Sequence, residues 1–452
     1  MMRHSRTVSA ILVLLVASGS LGCAAARELF RDPDDAVAPM TTPDPLYESL
    51  ASHYVELCAV SQYRPLNGEM GGSPGHAVMY LKGACRDEAA PYPRLRPCRY
   101  TTFDRRDAEH GAGVSVNRWF KNVNWVATPG KLLFFDGGLT QYEQLDQERF
   151  DAAVQEAVDL GMFRGVELHT IGDEEGPREM TEFVATQSLG TDFALRFGRT
   201  VFCTRMPMPE QMLMKAMDYL NSLNDEYYNG EAEYNWSGYA DNCVHTLHNA
   251  LAAAGVWKPK SVRATKIRQL FNMAVPANAF VDLAYLANHY PIENYSKVRD
   301  SELYWEDLKT QAWVPAAPGG LIEMMPVLQR NELYDTKYRM FVLGGLFKND
   351  ALKRAQFLLS DGRYLQLDAN LRYFFDRYQR ILAERKPEGG EPTSEADKRA
   401  RLDRTIYYSY IERQRDMMLV ALDRLAELDS LRDEILEKAR DEWKARAPQP
   451  GP

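Results

Sequence analysis

Asp241-Asn242-Cys243-Val244-His245-Thr246-Leu247 is the stretch on which the fold turns, because it reads as the opening of a helix with a nucleophile in its first turn. Asp241 or Asn242 is the residue type that caps a helix. Val244, Leu247 and Leu251 recur as a buried stripe, Gly255 ends the helix and Pro259 follows. Cys243 thus meets unpaired N–H groups and the positive end of the helix dipole, which favour a thiolate and a nearby oxyanion. Its counterpart is Gly75-His76-Ala77-Val78-Met79-Tyr80-Leu81, a histidine heading an apolar strand and held as rigidly as a general base must be. The opposing reading makes Cys243 a buried core cysteine and His76 a strand-end histidine bonded to a turn.

Around that pair the chain divides by composition. Residues 67–205 read as mainly β, with strands expected at 77–81, 114–128, 131–135, 182–187 and 191–204, all rich in β-branched and aromatic residues. A helix at 144–160 interrupts them, and 206–256 read as two helices around a turn. Upstream, 1–22 read as a signal peptide and 23–66 as a Pro-bearing tether with a short amphipathic helix at 45–61. Downstream, 257–385 read as a mostly helical accessory region and 386–397 (KPEGGEPTSEAD) as a linker. Residues 398–452 read as a charged helix or helical hairpin with a tail, with Ile406, Tyr410, Met417, Ala421, Leu425 and Leu428 at helical spacing. The fold class expected is α+β: an antiparallel sheet plus the Cys-bearing helix over 67–256, then a helical C-terminal region.

The histidine strand (GHAVMYL), further strands, and then the capped cysteine helix (NCVHTLHNAL) resemble the circularly permuted papain-like hydrolases. That superfamily holds the NlpC-type cell-wall peptidases and the lecithin–retinol acyltransferase-like acyltransferases. In unpermuted members the cysteine helix precedes the histidine strand; here the histidine comes first, as in permuted ones. The resemblance covers 180 residues, from His76 to Gly255, and extends to bacterial lipoproteins with the same order. It implies Cys243 as nucleophile, His76 as base, and a polar residue on a later strand that orients the imidazole. His110, at the entrance of the next expected strand, is the first choice for that role, with Asn117 and His169 as alternatives. Tyr239, four residues before the cysteine, is an oxyanion donor or a packing aromatic.

The N-terminus carries Arg3, His4 and Arg6, then an apolar run over 10–17, then Ser18-Gly19-Ser20-Leu21-Gly22-Cys23. That is the grammar of a secretory signal peptide. Cys23 after Leu21-Gly22 resembles a bacterial lipobox, with Ser20 standing where an aliphatic residue is usual, a departure that leaves plain secretion with an incidental cysteine as the alternative. The expectation is a chain diacylated on Cys23, anchored in the outer membrane and facing the periplasm, where Ala24 rather than Asp disfavours inner-membrane retention. In that oxidising compartment Cys58, Cys85, Cys98, Cys203 and Cys243 are an odd set, so at least one thiol stays free, and Cys85 with Cys98 can close a short loop.

Other signals fall away. The 452 residues carry 54 Lys+Arg against 63 Asp+Glu, a net charge of −9, which offers nothing to nucleic acid. Gly71-Gly72-Ser73-Pro74-Gly75 has the spacing of a hydrolase elbow, but Pro74 lacks the N–H that would face an oxyanion. Cys243, His245 and His248 do not share a helix face, and no zinc or Walker pattern is present, so neither metal nor cofactor is expected.

The reading is an envelope-anchored cysteine hydrolase or acyltransferase acting on an amide or ester bond of a cell-wall peptide or a lipidated envelope molecule. The alternative is a non-catalytic envelope lipoprotein that binds a protein or wall partner through the same fold or through 257–446. Two features discriminate. A Cys243–Cys203 disulfide would remove the nucleophile, and catalysis needs the sulfur within about 4 Å of the His76 ring.

Overall fold

β-branched and aromatic residues build a central sheet, and its covering helices come from both halves of the chain. The computed structural model describes residues 25–28, 44–72, 75–100, 102–140, 142–169, 179–237, 241–258, 276–309, 317–337, 341–344, 351–385 and 392–446. In chain order the strands are β1 (Ala25–Glu28), β2 (Tyr54–Val60), β3 (His76–Lys82), β4 (Ala84–Arg86), β5 (Leu95–Pro97), β6 (Gly111–Val116), β7 (Trp125–Pro129), β8 (Val201–Pro207), β9 (Leu321–Met325) and β10 (Phe341–Gly344). The helices are α1 (Asp44–Leu50), α2 (Lys131–Asp136), α3 (Gln147–Asp159), α4 (Met180–Phe183), α5 (Glu210–Tyr228), α6 (Cys243–Ala253), α7 (Pro276–His289), α8 (Tyr295–Arg299), α9 (Glu302–Lys309), α10 (Ala351–Ser360), α11 (Leu367–Ala383) and α12 (Glu395–Arg446). Six strands pair antiparallel in the order β7-β6-β3-β2-β8-β9, so the fold is α+β with a helical C-terminal region.

Both faces of the sheet are covered, and alternate residues of a strand serve different cores. Ala77, Met79 and Leu81 of β3 pack with Leu213, Met217 and Leu220 of α5 and with Val244, Leu247 and Leu251 of α6. Val78 and Tyr80 belong to a second core with Phe134 of α2, Phe374 and Tyr378 of α11, and Tyr407 and Ile411 of α12. A third cluster sets Ala59, Phe202 and Ile322 under Phe280 and Val281 of α7.

Several expectations are corrected. The helix expected at 45–61 stops at Leu50, and its second half is β2, a strand at the centre of the sheet. Residues 131–135 form α2 rather than a strand, because Gly130 and Gly137 adopt positive φ at its two ends and frame one short helix. Residues 182–187 are helical, closing in a π turn over Val184–Ser188. The run expected at 114–128 is two strands, and the one at 191–204 becomes extended only from Val201. α12 is one helix of 52 residues, about 78 Å long, not a hairpin.

Two disulfides brace the fold. Cys58–Cys203 joins directly opposed residues of β2 and β8. Cys85–Cys98 closes the loop around the β4–β5 ribbon, as the spacing allowed.

Candidate functional site

α6 begins where the sequence placed it. The Asn242 side chain caps it, accepting hydrogen bonds from the N–H groups of Val244 (2.9 Å) and His245 (3.2 Å). Cys243, the first helical residue, is a free thiol packed against the core beneath β3. The residue as a whole is only partly buried. Burial pushes the thiol up to about 11, against the opposing pull of N–H donors from Ala77, Val244 and Cys243 itself. A helix N-terminus favours a thiolate, but here desolvation wins, and at neutral pH the sulfur stays protonated.

His76 does not face it. Its β2 partner is Val60, a member of the second core, whereas α6 covers Ala77, Met79 and Leu81 on the other side of the sheet. The imidazole Nε2 lies 2.9 Å from Ser115 Oγ, and Ser115 in turn donates to Asp192 Oδ1 at 2.6 Å. Because the single serine proton goes to the carboxylate, His76 Nε2 carries the proton of its own bond. Asp192 also accepts from Asn117 (2.9 Å) and Ser188 (2.7 Å). Burial raises its carboxyl to about 6 despite those three donors. Burial, with the Arg199 cation behind it, drives the imidazole down to about 3. Arg199 is itself lowered to about 10 by burial, its plane lying 4.6 Å from the Tyr63 ring centroid.

The cysteine-hydrolase and acyltransferase reading is therefore overturned. Four cysteines are spent in disulfides, and the one free thiol has no imidazole partner among the described residues. Neither a thiolate nor an imidazolium exists near neutral pH for the other to stabilise. The cause is strand parity. Alternation along β3 directs the His76 side chain to the face of Val78 and Tyr80, whereas α6 covers the face of Ala77 and Met79.

The other candidates scatter. His110 sits on the second face, its Nδ1 2.6 Å from Tyr80 OH and its Nε2 2.9 Å from Glu48 Oε1, and burial lowers its pKa. It does not touch His76. Asn117 does join the His76 network, through Asp192. His169 meets the Tyr234 carbonyl at 3.3 Å. Tyr239 and the lipidation candidate Cys23 lie outside the described residues, as do Ser73 and Pro74 of the glycine turn.

His110 belongs to a feature that the sequence reading missed, a buried ionic cluster between the sheet and helices α1 and α2. Lys82 Nζ meets Glu48 at 3.1 Å. Glu56 Oε1 takes Lys131 Nζ at 2.8 Å and Arg205 Nε at 2.5 Å, and Arg205 also reaches Glu323 at 2.5 Å. Among the described residues three carboxylates thus face three cations, all buried, and Lys82, Lys131, Arg205 and Glu323 have further contacts besides. Burial pushes Glu48 upward, but His110 and Lys82 outweigh it and hold the carboxyl below its ordinary range. Glu56 within YVELCAV, Arg205 within VFCTRMP and Glu323 within LIEMM were the visible signal: one charge inside each of three apolar strands.

Among the described residues, the one group compact enough to hold a metal is Cys85, Cys98 and Glu109, and its two sulfurs are joined to each other. No helix of the described residues is long and apolar enough to cross a membrane. Compared with known protein families, with curated proteins and with solved structures, the chain finds no match.

Proposed function

We propose that the protein is a non-catalytic, lipid-anchored binding protein of the bacterial envelope that engages a protein or wall partner through its helical C-terminal region. The observation that carries this is a groove of about 840 Å³ between α12 and the near end of the sheet. Leu50, Met208, Leu367, Leu371, Met417 and Met418 line it, with Arg413 and Arg424 at its rim. Methionines suit such a wall, since an unbranched thioether refits itself to different partners. Anchoring rests on the basic start, the apolar run and Cys23. The permuted papain-like relationship is supported by the order of histidine strand and cysteine helix and by α6 packing on β3; on this reading the unit serves as a scaffold.

The test separates chemistry from binding. In a deletion strain, Cys243→Ala complements envelope function as well as the wild type, whereas Met417→Lys in the groove does not. Loss of complementation by a stably folded Cys243→Ala chain would return the thiol to a chemical role and overturn the proposal. Membrane association unchanged by Cys23→Ser would remove the anchor.

A further inference from the structure

Among the described residues, four of the five large apolar side chains that α12 exposes stand along one line, and Leu419 stands off it. Leu402, Met417, Val420 and Leu431 are 58, 57, 67 and 52% exposed. At 100° per residue they fall within a wedge of about 60°, together with Ile406, Arg413 and Arg424. Tyr407, Ile411, Met418 and Leu425, the buried residues that hold α12 to the body, point roughly 130° away round the same helix. The exposed line therefore runs beside the seam: Ile406 still packs partly against the second core, and Arg413, Met417, Val420 and Arg424 form the α12 wall of the groove. Arg413, Arg424 and Glu427, which punctuate it, form no ion pair among the described residues.

The pattern is complementary to itself. When two copies lie antiparallel with Val420 against its own counterpart, Arg413, seven residues before, meets Glu427, seven after. Asp416, four before, and Arg424, four after, also come together, but Asp416 is already paired with Arg415 of its own chain at 2.7 Å. The two-fold axis repeats the Arg413–Glu427 pair, so two new ion pairs flank a centre of Val420 and Met417 side chains. Parallel pairing would set every arginine against its own copy. We infer that α12 is a homodimerisation surface on which a second copy of this chain docks antiparallel about a two-fold axis at Val420. A self-complementary patch of this kind gives a closed, isologous dimer. Opposite charges beside the apolar centre set its register, as flanking charges do in coiled coils. Arg413, Met417, Val420 and Arg424 also wall the groove, so this inference rests on the binding role proposed above and names a second copy as the occupant. Complementation by Met417→Lys reads any occupant, whereas the charge-swap rescue of a cross-link reads only the second copy.

Cysteine cross-linking of the full-length chain in its own envelope tests it. Under oxidation Val420→Cys should give a band of two chains on a non-reducing gel, while Leu402→Cys, which is remote from its own copy in this register, should not. Arg413→Glu added to Val420→Cys should cut that band about tenfold, and the further change Glu427→Arg should restore it. Both charge positions are on the surface, so folding is not at stake, and the retained Cys58–Cys203 disulfide reports it. No band from a folded Val420→Cys chain, an equal band from Leu402→Cys, or no rescue by the charge swap would each overturn the inference.

Discussion

Replacing Glu56 by Gln tests whether the buried ionic cluster is a balanced unit. Glu56 is 0% exposed and lies 2.8 Å from Lys131 Nζ and 2.5 Å from Arg205 Nε. The substitution keeps the shape but leaves three cations facing two carboxylates, Glu48 and Glu323, where water cannot screen them. Removing one partner of a buried pair costs roughly 3–5 kcal/mol. Because Glu56 Oε2 has no hydrogen-bond partner, part of its own desolvation is already uncompensated, so the lower end, about 3 kcal/mol, is expected. Glu56→Gln with Lys131→Met restores the balance and should recover at least half of that loss, since an ion pair exchanged whole for neutral residues is often nearly neutral. The assay is urea unfolding of the single and double variants followed by tryptophan fluorescence, with Trp125 in the core as a reporter. A loss under about 1 kcal/mol for the single variant, or a double variant no more stable than the single, would refute the argument.

Two further outcomes follow from the same geometry. Gly113→Ala should cost at least 1–3 kcal/mol, about the cost of overpacking a core, because its Cβ would lie 2.0 Å from a Phe134 ring carbon; Phe134→Leu should relieve most of it, and unchanged stability would contradict the close approach of β6 and α2. Asp192 has a folded pKa raised from 3.8 to about 6, so its contribution to stability is full below pH 3.8 and is lost as pH rises through 6. Asp192→Asn should thus be less damaging at pH 7 than at pH 4, by up to about 3 kcal/mol; equal damage at both would show that the carboxyl is not perturbed.

Much of the local structure was legible in the residues, and the decisive relation was not. The Asn242 cap, the α6 stripe ending before Gly255, and the Cys85–Cys98 loop all follow from residue types at short range. β2 was missed because Glu48 and Glu56 are eight apart and suggest the polar face of one helix, whereas both are buried ion-pair partners of residues far along the chain. α2 was missed because Leu132-Leu133-Phe134-Phe135 is as good a strand as a helix until the glycines on either side are placed. The face on which α6 lies was illegible for a different reason. Every residue of β3 is buried, so the alternation that would mark a helix-facing side is absent, and His76 and Ala77 look equally fit to meet the cysteine. Tertiary packing alone decides between them.

The two disulfides are nested: Cys58–Cys203 encloses Cys85–Cys98, and 145 positions separate the outer pair. A chain entering an oxidising compartment from its N-terminus presents Cys58 and Cys85 long before Cys203, so pairing in order of appearance joins the wrong sulfurs. Where such a mispairing forms, the native pairing is reached by thiol–disulfide exchange, a slow step without a catalyst. Cys243 arrives last, with the right chemistry to act as an intruding thiol while the chain is still open. Once α6 has formed and the sulfur is held protonated near neutral pH, the attack that exchange requires is slowed. The raised pKa that makes Cys243 a poor nucleophile near neutral pH also makes it a poor attacker of the protein's own disulfides.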